Sequence, residues 1–300
     1  MINGAAREVL VLMLIFLGCT AFSTSSANEL SNVHIRGRSV GCGIPQAGTG
    51  HFMAEETRVL DQVRTYHLLV PKSYDPDRAY PLVFRWHGAG GSGLSGGLGI
   101  EIYSGNDAIV VGADGLYGGW SSYASSPDLI FFDQMLEAIS NRYCIDRDRV
   151  FSYGFSVGGI FTNTLACERG DVVRASAAIA GGIRGSNRSR KRKAAIWLLD
   201  ELGSNGLVTG EGKCKGKVAS WFLHDQDDNV VPILKEKAAR ERAVAMNGCS
   251  TETVSEDDGC VRYLGCETAP VVWCESKGFG HTIRDDFAPA RVWKFFENLN

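Results

Sequence analysis

The chain reads as an α/β protein built on one mostly parallel, doubly wound sheet in a single domain. Three observations lead there. Short apolar runs bounded by Gly, Asp and Pro recur along the sequence, helix-like segments fall between them, and no Pro/Ser-rich linker or internal repeat breaks the series. The strand-like runs are 66–71, 82–86, 108–112, 150–153, 175–180, 218–223 and 271–273. They are apolar on nearly every residue, as in parallel strands covered on both faces by helices. The helix-like segments are 129–142, 157–168, 234–246 and 288–298. In such a sheet, reactive groups gather at the carboxyl ends of the strands.

Ahead of the first strand, residues 1–27 carry Arg7, an apolar run over 9–17 and then small and polar residues up to Ala27. This pattern predicts a secretory signal peptide cleaved after Ala27, with residues 28–300 as the mature domain. The apolar core is shorter than the ~20 residues a membrane span needs. A competing reading makes Leu17-Gly18-Cys19 a lipoprotein site, with a lipid anchor on Cys19. Either reading places the protein outside the cytoplasm, secreted or periplasmic. Of the nine cysteines, only Cys19 lies within the leader, and an even set in an exported chain predicts disulfides without fixing their pairing. Cysteine spacing offers no zinc site, because no paired Cys-x2-Cys ligands occur.

The formal net charge of −3 excludes nucleic acid as an expected partner. The one basic run, 188–193, reads as a solvated loop face. It lies within an excursion at 184–212 that interrupts the β/α rhythm and reads as an insertion, either a lid or a surface decoration.

The fourth strand-like run ends in Gly154-Phe155-Ser156-Val157-Gly158, a Gly-x-Ser-x-Gly sequence leading into a helix-like segment. That is the pattern of a nucleophile elbow, in which a strained turn exposes a serine hydroxyl. A serine is a weak nucleophile at neutral pH and needs a base, which in turn needs an orienting carboxylate. After the run 218–223 comes His224-Asp225-Gln226-Asp227-Asp228, and after 271–273 comes Gly278-Phe279-Gly280-His281. The order Ser156, Asp228, His281 is that of α/β-hydrolases, with Asp225 and Asp227 as local competitors for the carboxylate and His224 as a structural residue. The third requirement is an oxyanion hole. His87-Gly88-Ala89-Gly90-Gly91 supplies the loop, with the backbone N–H groups of Ala89 and Val157 as donors and His87 shaping the loop. Trp120, in Gly118-Gly119-Trp120-Ser121, is a candidate substrate-binding platform for a flat acyl group or sugar, and equally a candidate for core packing.

With these residues assembled, the chain from about Gly41 to its end resembles the secreted feruloyl esterases and related poly(3-hydroxybutyrate) depolymerases of the α/β-hydrolase superfamily. The matching stretches are Gly41-Cys42-Gly43, the 87–91 loop, 143–150, the elbow, 224–232 and 278–281. The resemblance carries the triad onto Ser156, Asp228 and His281. It implies a serine ester hydrolase without metal or organic cofactor, acting on feruloyl or acetyl esters of plant cell-wall polysaccharide. Hydroxyalkanoate oligomers are the alternative substrate, and an acyltransferase or a non-catalytic surface-binding protein the alternative classes. Two loops depart from the family pattern. Gly-Phe-Gly-His stands where Gly-Gly-Gly-His is more usual, and His-Asp-Gln-Asp-Asp stands where His-Gly-Thr-x-Asp is usual.

Overall fold

A computed structural model describes residues 37–95, 98–183, 214–256 and 259–299. The expected leader 1–27, the acylation candidate Cys19 and the excursion 184–212 lie outside them. Among the described residues, the strands are β1 (Phe52–Val59), β2 (Gln62–Leu69), β3 (Tyr80–Trp86), β4 (Ile109–Ala113), β5 (Ile145–Phe155), β6 (Ala175–Ile179), β7 (Ala219–Asp225), β8 (Thr253–Ser255), β9 (Cys260–Tyr263) and β10 (Val271–Ser276). The helices are α1 (Ile100–Ser104), α2 (Pro127–Arg142), α3 (Val157–Glu168), α4 (Ile233–Asn247) and α5 (Ala288–Glu297). One sheet of order β1-β2-β4-β3-β5-β6-β7-β10-β9-β8 joins all these strands. Its centre, β4 through β10, is parallel, and both edges are antiparallel. This is the α/β-hydrolase architecture in a single domain.

Burial on both faces follows from the alternation of side chains along each strand. In β3, Leu82, Phe84 and Trp86 enter a cluster with Phe132 of α2 and Phe161 of α3. Between them, Val83 points to the opposite cluster, with Phe151 of β5 and Val292 and Phe296 of α5. Aromatic contacts fix both layers: Phe84 lies 4.8 Å from Phe132, Trp86 4.9 Å from Phe161, and Phe151 stacks on Phe296 at 4.5 Å.

One strand expectation needs correction. The run 66–71 belongs to β2, which pairs antiparallel with both β1 and β4. Its burial alternates where the central strands are continuously buried, because one face stays wet. β1 escaped notice for the same reason: its sequence Phe-Met-Ala-Glu-Glu-Thr-Arg-Val is mostly exposed and forms no apolar run. At the far edge, β8 and β9 are short and lie among disulfides. The eight cysteines beyond the leader pair as Cys42–Cys144, Cys167–Cys214, Cys249–Cys266 and Cys260–Cys274. The last two staple the β9 and β10 edge, and the first ties residues 39–42 to the start of β5, where the Ser39 hydroxyl donates to the Tyr143 carbonyl at 2.7 Å.

Cross-links that close long loops restrict the unfolded chain most. Cys42–Cys144 spans 102 residues and Cys260–Cys274 only 14. Replacing Cys42 and Cys144 together by Ala should therefore cost about 2–5 kcal/mol in urea unfolding, and more than the same change at Cys260 and Cys274. The reverse order would mean that the β9 edge, not chain entropy, limits stability.

Candidate active site

Ser156 sits between the end of β5 and the first turn of α3, with φ 56° and ψ −122°. This left-handed conformation is costly for a residue with a side chain, so its surroundings must enforce it. A Cβ on Gly158 would lie 2.1 Å from the Trp86 carbonyl oxygen, and one on Gly154 would lie 2.4 Å from that of Gly158. The tight strand-to-helix crossing exists only because both residues are glycine. The Ser156 N–H donates to the Ile179 carbonyl at 2.9 Å, tying the turn to β6. Although Ser156 occupies the N-cap position of α3, its hydroxyl makes no capping bond and is free for another partner.

That partner is His281, whose Nε2 lies 2.9 Å from Ser156 Oγ. His281 Nδ1 lies 2.7 Å from Asp228 Oδ2, so one imidazole joins the serine to a buried carboxylate. The other oxygen of Asp228 accepts the N–H groups of Val230 and Val231, both at 2.9 Å, which holds the carboxylate in place. Phe155 packs on the His281 ring at 4.8 Å between centroids. The competitors go elsewhere. Asp227 accepts from the Gly278 N–H at 3.0 Å, and Asp225 accepts from backbone and hydroxyl groups around the His281 loop.

On the other side of Ser156, the loop after β3 is braced from several directions. His87 Nε2 accepts the Gly115 N–H at 2.9 Å, which assigns the ring proton to Nδ1, 2.7 Å from the Gly88 carbonyl. Burial lowers the His87 pKa, outweighing the Gly88 carbonyl and Asp114, so the ring is a neutral strut. Gly90 donates to the Gly118 carbonyl at 2.7 Å, and Asp114 accepts the Gly93 N–H at 2.5 Å while also meeting His67 Nε2 at 3.2 Å. Arg85 clamps the loop from below, donating to Glu101 at 2.9 Å and to the Gly93 carbonyl at 2.7 Å. Gly88 packs beside Ser156, since a Cβ there would reach 3.6 Å from that of the serine. Gly88 of this loop thus lies alongside the elbow, and the Val157 N–H, in the first turn of α3, has no acceptor within its own helix.

Trp120 requires a correction. It is 8% exposed, stacked on Phe161 at 5.4 Å and set edge-on to Trp86 at 5.0 Å. Its indole N–H donates to the His87 carbonyl at 3.0 Å. The ring is a core prop beneath the oxyanion loop and presents no platform. The exposed rings on the site's loops are instead Phe279, 52% exposed and two residues from His281, and Tyr117, 96% exposed on the 3₁₀ turn Leu116–Gly118. The Arg284 guanidinium lies 3.6 Å from the Phe279 ring centroid and fixes its attitude.

Beneath the carboxylate lies a second, fully buried histidine. His224 Nε2 donates to the Val231 carbonyl at 2.7 Å and lies 3.3 Å from Asp228 Oδ2. Its Nδ1 faces Glu236 of α4 at 3.6 Å, and Glu236 also accepts from the Asn163 amide at 3.1 Å. Burial opposes charging of His224, but the Glu236 carboxylate, the Val231 carbonyl and Asp228 together outweigh it and raise the pKa above the ordinary histidine value. Among the described residues, no group of three or more His, Cys, Asp or Glu is arranged to hold a metal ion.

No family model matches the chain. Two curated proteins are similar over nearly its whole length. Feruloyl esterase D of Neurospora crassa is 28% identical over 94% of this chain and 97% of its own length. A probable feruloyl esterase C of Aspergillus niger is 26% identical over 90% of this chain and 94% of its own. Among solved structures, an acetyl xylan esterase from Aspergillus awamori superposes with a TM-score of 0.62 at 14% identity, covering 82% of this chain and 99% of that one. The chain is feruloyl esterase-like in sequence and has the α/β-hydrolase fold.

The raised pKa of His224 sets a stability trend. A group whose pKa is higher folded than unfolded contributes fully below its unfolded value, about 6.5, and loses that contribution as pH rises through the folded one. The thermal midpoint should therefore fall as pH rises above about 6.5, and Glu236→Gln should flatten that fall. An unchanged slope in Glu236→Gln would remove the buried pair as its source.

Proposed function

We propose that the protein is an exported serine esterase that removes feruloyl groups, and by the same chemistry acetyl groups, from plant cell-wall polysaccharide. The observation that carries the reading is the linear relay of 2.7 and 2.9 Å from Asp228 through His281 to Ser156 on a strained elbow. The similarity to feruloyl esterases over almost the entire chain supports the substrate class. Four disulfides support action outside the cytoplasm.

In this reading Ser156 Oγ attacks the ester carbonyl carbon while His281 Nε2 takes the hydroxyl proton. Asp228 keeps Nδ1 protonated, so Nε2 is the basic nitrogen, and stabilises the imidazolium that forms. The oxyanion of the tetrahedral intermediate accepts from the N–H groups of Ala89 and Val157. Collapse breaks the bond to the sugar oxygen, which leaves with the proton held by His281. Water, deprotonated by the same imidazole, then cleaves the acyl-enzyme and releases the free acid. No step needs a metal or an organic cofactor. Phe279 and Tyr117, exposed on the loops that carry the base and brace the oxyanion loop, give a flat aromatic acyl group apolar surface to meet.

Hydrolysis of methyl ferulate, p-nitrophenyl acetate and a soluble 3-hydroxybutyrate oligomer tests the assignment. Methyl ferulate should be cleaved, with Ser156→Ala inactive and Asp228→Asn slower by about 10³–10⁴ in kcat. Turnover of the hydroxybutyrate oligomer alone would replace the substrate class, and full activity in Asp228→Asn would move the orienting carboxylate. Phe279→Ala should raise KM for methyl ferulate about 2- to 10-fold, the effect of losing one aromatic pair, and more than it raises KM for p-nitrophenyl acetate. Equal effects on both would take Phe279 out of acyl recognition.

A further inference from the structure

Three carboxylates cluster in the loop after β7, and the reaction uses one. Asp225 is the last residue of β7, is only 4% exposed, and hydrogen-bonds groups other than the imidazole. Its Oδ2 accepts the Ser276 hydroxyl at 2.8 Å and the Phe279 N–H at 3.2 Å. Its Oδ1 accepts the N–H groups of Gly280 at 3.0 Å and Asp227 at 2.9 Å. A carboxylate offers about four acceptor sites, and here all are engaged. Every donor belongs to the loop bearing Asp228 or to the end of β10 and the loop bearing His281. One donor, Gly280, is the residue next to the base.

We propose that Asp225 is a positioning residue for the reaction: its carboxylate cross-ties the two loops that present Asp228 and His281 and so sets the imidazole at hydrogen-bond distance from Ser156. The proposal rests on the reading of His281 as the general base. Strand pairing brings the parts together, since Asp225 and Ser276 are register partners in parallel β7 and β10. Beyond that pair the chain leaves the sheet with φ 88° at Gly278 and 63° at Gly280, and no strand ladder remains to fix its path. The side chain of Asp225 replaces the ladder, binding backbone N–H groups on one side and an adjacent backbone N–H on the other.

Charge matters as well as shape. Burial opposes ionisation of Asp225, but the Ser276 hydroxyl and three backbone N–H groups outweigh it and hold its pKa below the usual carboxylate value. An amide at this position would turn its NH₂ toward one pair of donors. The Phe279 N–H donates to the Asp225 carboxylate at 3.2 Å, so the backbone of the exposed Phe279 is anchored beside His281.

The test uses the full-length protein and a fluorophosphonate, which reads activation of the nucleophile whatever the natural ester is. Ser156 Oγ forms the bond to phosphorus, fluoride leaves, and His281 takes the proton. The labelling rate of Asp225→Gly should fall about 10- to 100-fold, the scale expected for sub-ångström to ångström displacement of a catalytic group. With p-nitrophenyl acetate, kcat should fall in parallel while KM stays unchanged. Asp225→Asn, which keeps the shape, should fall between Asp225→Gly and the parent protein. Folding is checked by circular dichroism and the thermal midpoint, and if Asp225→Gly does not fold, Asp225→Asn decides alone. Folded Asp225 variants that label at the parental rate, or that lose KM instead of kcat, would overturn the proposal. A parent protein that resists the fluorophosphonate would overturn the serine esterase reading, and the proposal with it, by a result distinguishable from a failure of Asp225 alone.

Discussion

The structure depends on one backbone conformation. Ser156 at φ 56° can exist only if β5 passes straight into α3 with two carbonyl groups pressed against glycines, and those carbonyls belong to Trp86 and Gly158. Trp86 ends β3, so the serine's conformation is a statement about how closely β3 and α3 approach. That approach depends in turn on Trp86, Phe161 and Trp120 packing at centroid distances of 4.9 to 5.4 Å under the turn. The apolar core and the proposed nucleophile are therefore one piece of architecture. The strain of the elbow is sustained by aromatic burial below it.

Around that fixed point, the rest of the site arrives on loops from opposite sides of the sheet's midpoint. The proposed oxyanion loop follows β3, and the Asp228 carboxylate and His281 imidazole follow β7 and β10. Loops have no repeating hydrogen-bond pattern, so each needs specific side chains to define it. On the β3 side these are His87, Asp114 and Arg85, and on the β7 side Asp225, Asp228 and His224. Both sides use the same device, a buried polar side chain bound to backbone groups. That burial is offset where the hydrogen bonds are made, as at Asp225 and Asp228, while Arg85 Nε and His224 Nδ1 make no hydrogen bond among the described residues.

What could be read from the sequence follows the same division. The central strands are continuous apolar runs between breakers, so β3 to β7 and β10 are visible, and 157–168 coincides with α3. The elbow and the loop of His281 are visible because they carry glycines at fixed offsets. The edges were not legible, since a half-wet antiparallel strand such as β1 has no apolar run and the hairpin turn at Leu60-Asp61 carries no glycine. Disulfide pairing was also hidden, because it depends on three-dimensional proximity and not on spacing. Trp120 was left between platform and core for a related reason: its neighbours in sequence do not show which way the ring turns, and here it goes inward against Trp86 and Phe161.

The choice among three aspartates shows where sequence reading reaches its limit. Asp225, Asp227 and Asp228 are separated by at most three positions, and each could have reached an imidazole on a neighbouring loop. What separates them is the end of β7. Asp225 is still in the strand, opposite Ser276 in the register of β7 and β10, and its carboxylate meets the Ser276 hydroxyl and the loop that follows. Asp227 has left the sheet and is exposed, and it takes only the Gly278 N–H. Asp228 lies one residue further along a turn whose Val230 and Val231 N–H groups capture one carboxylate oxygen and leave the other facing His281. Where the ladder stops thus assigns one carboxylate to the loop and another to the His281 imidazole.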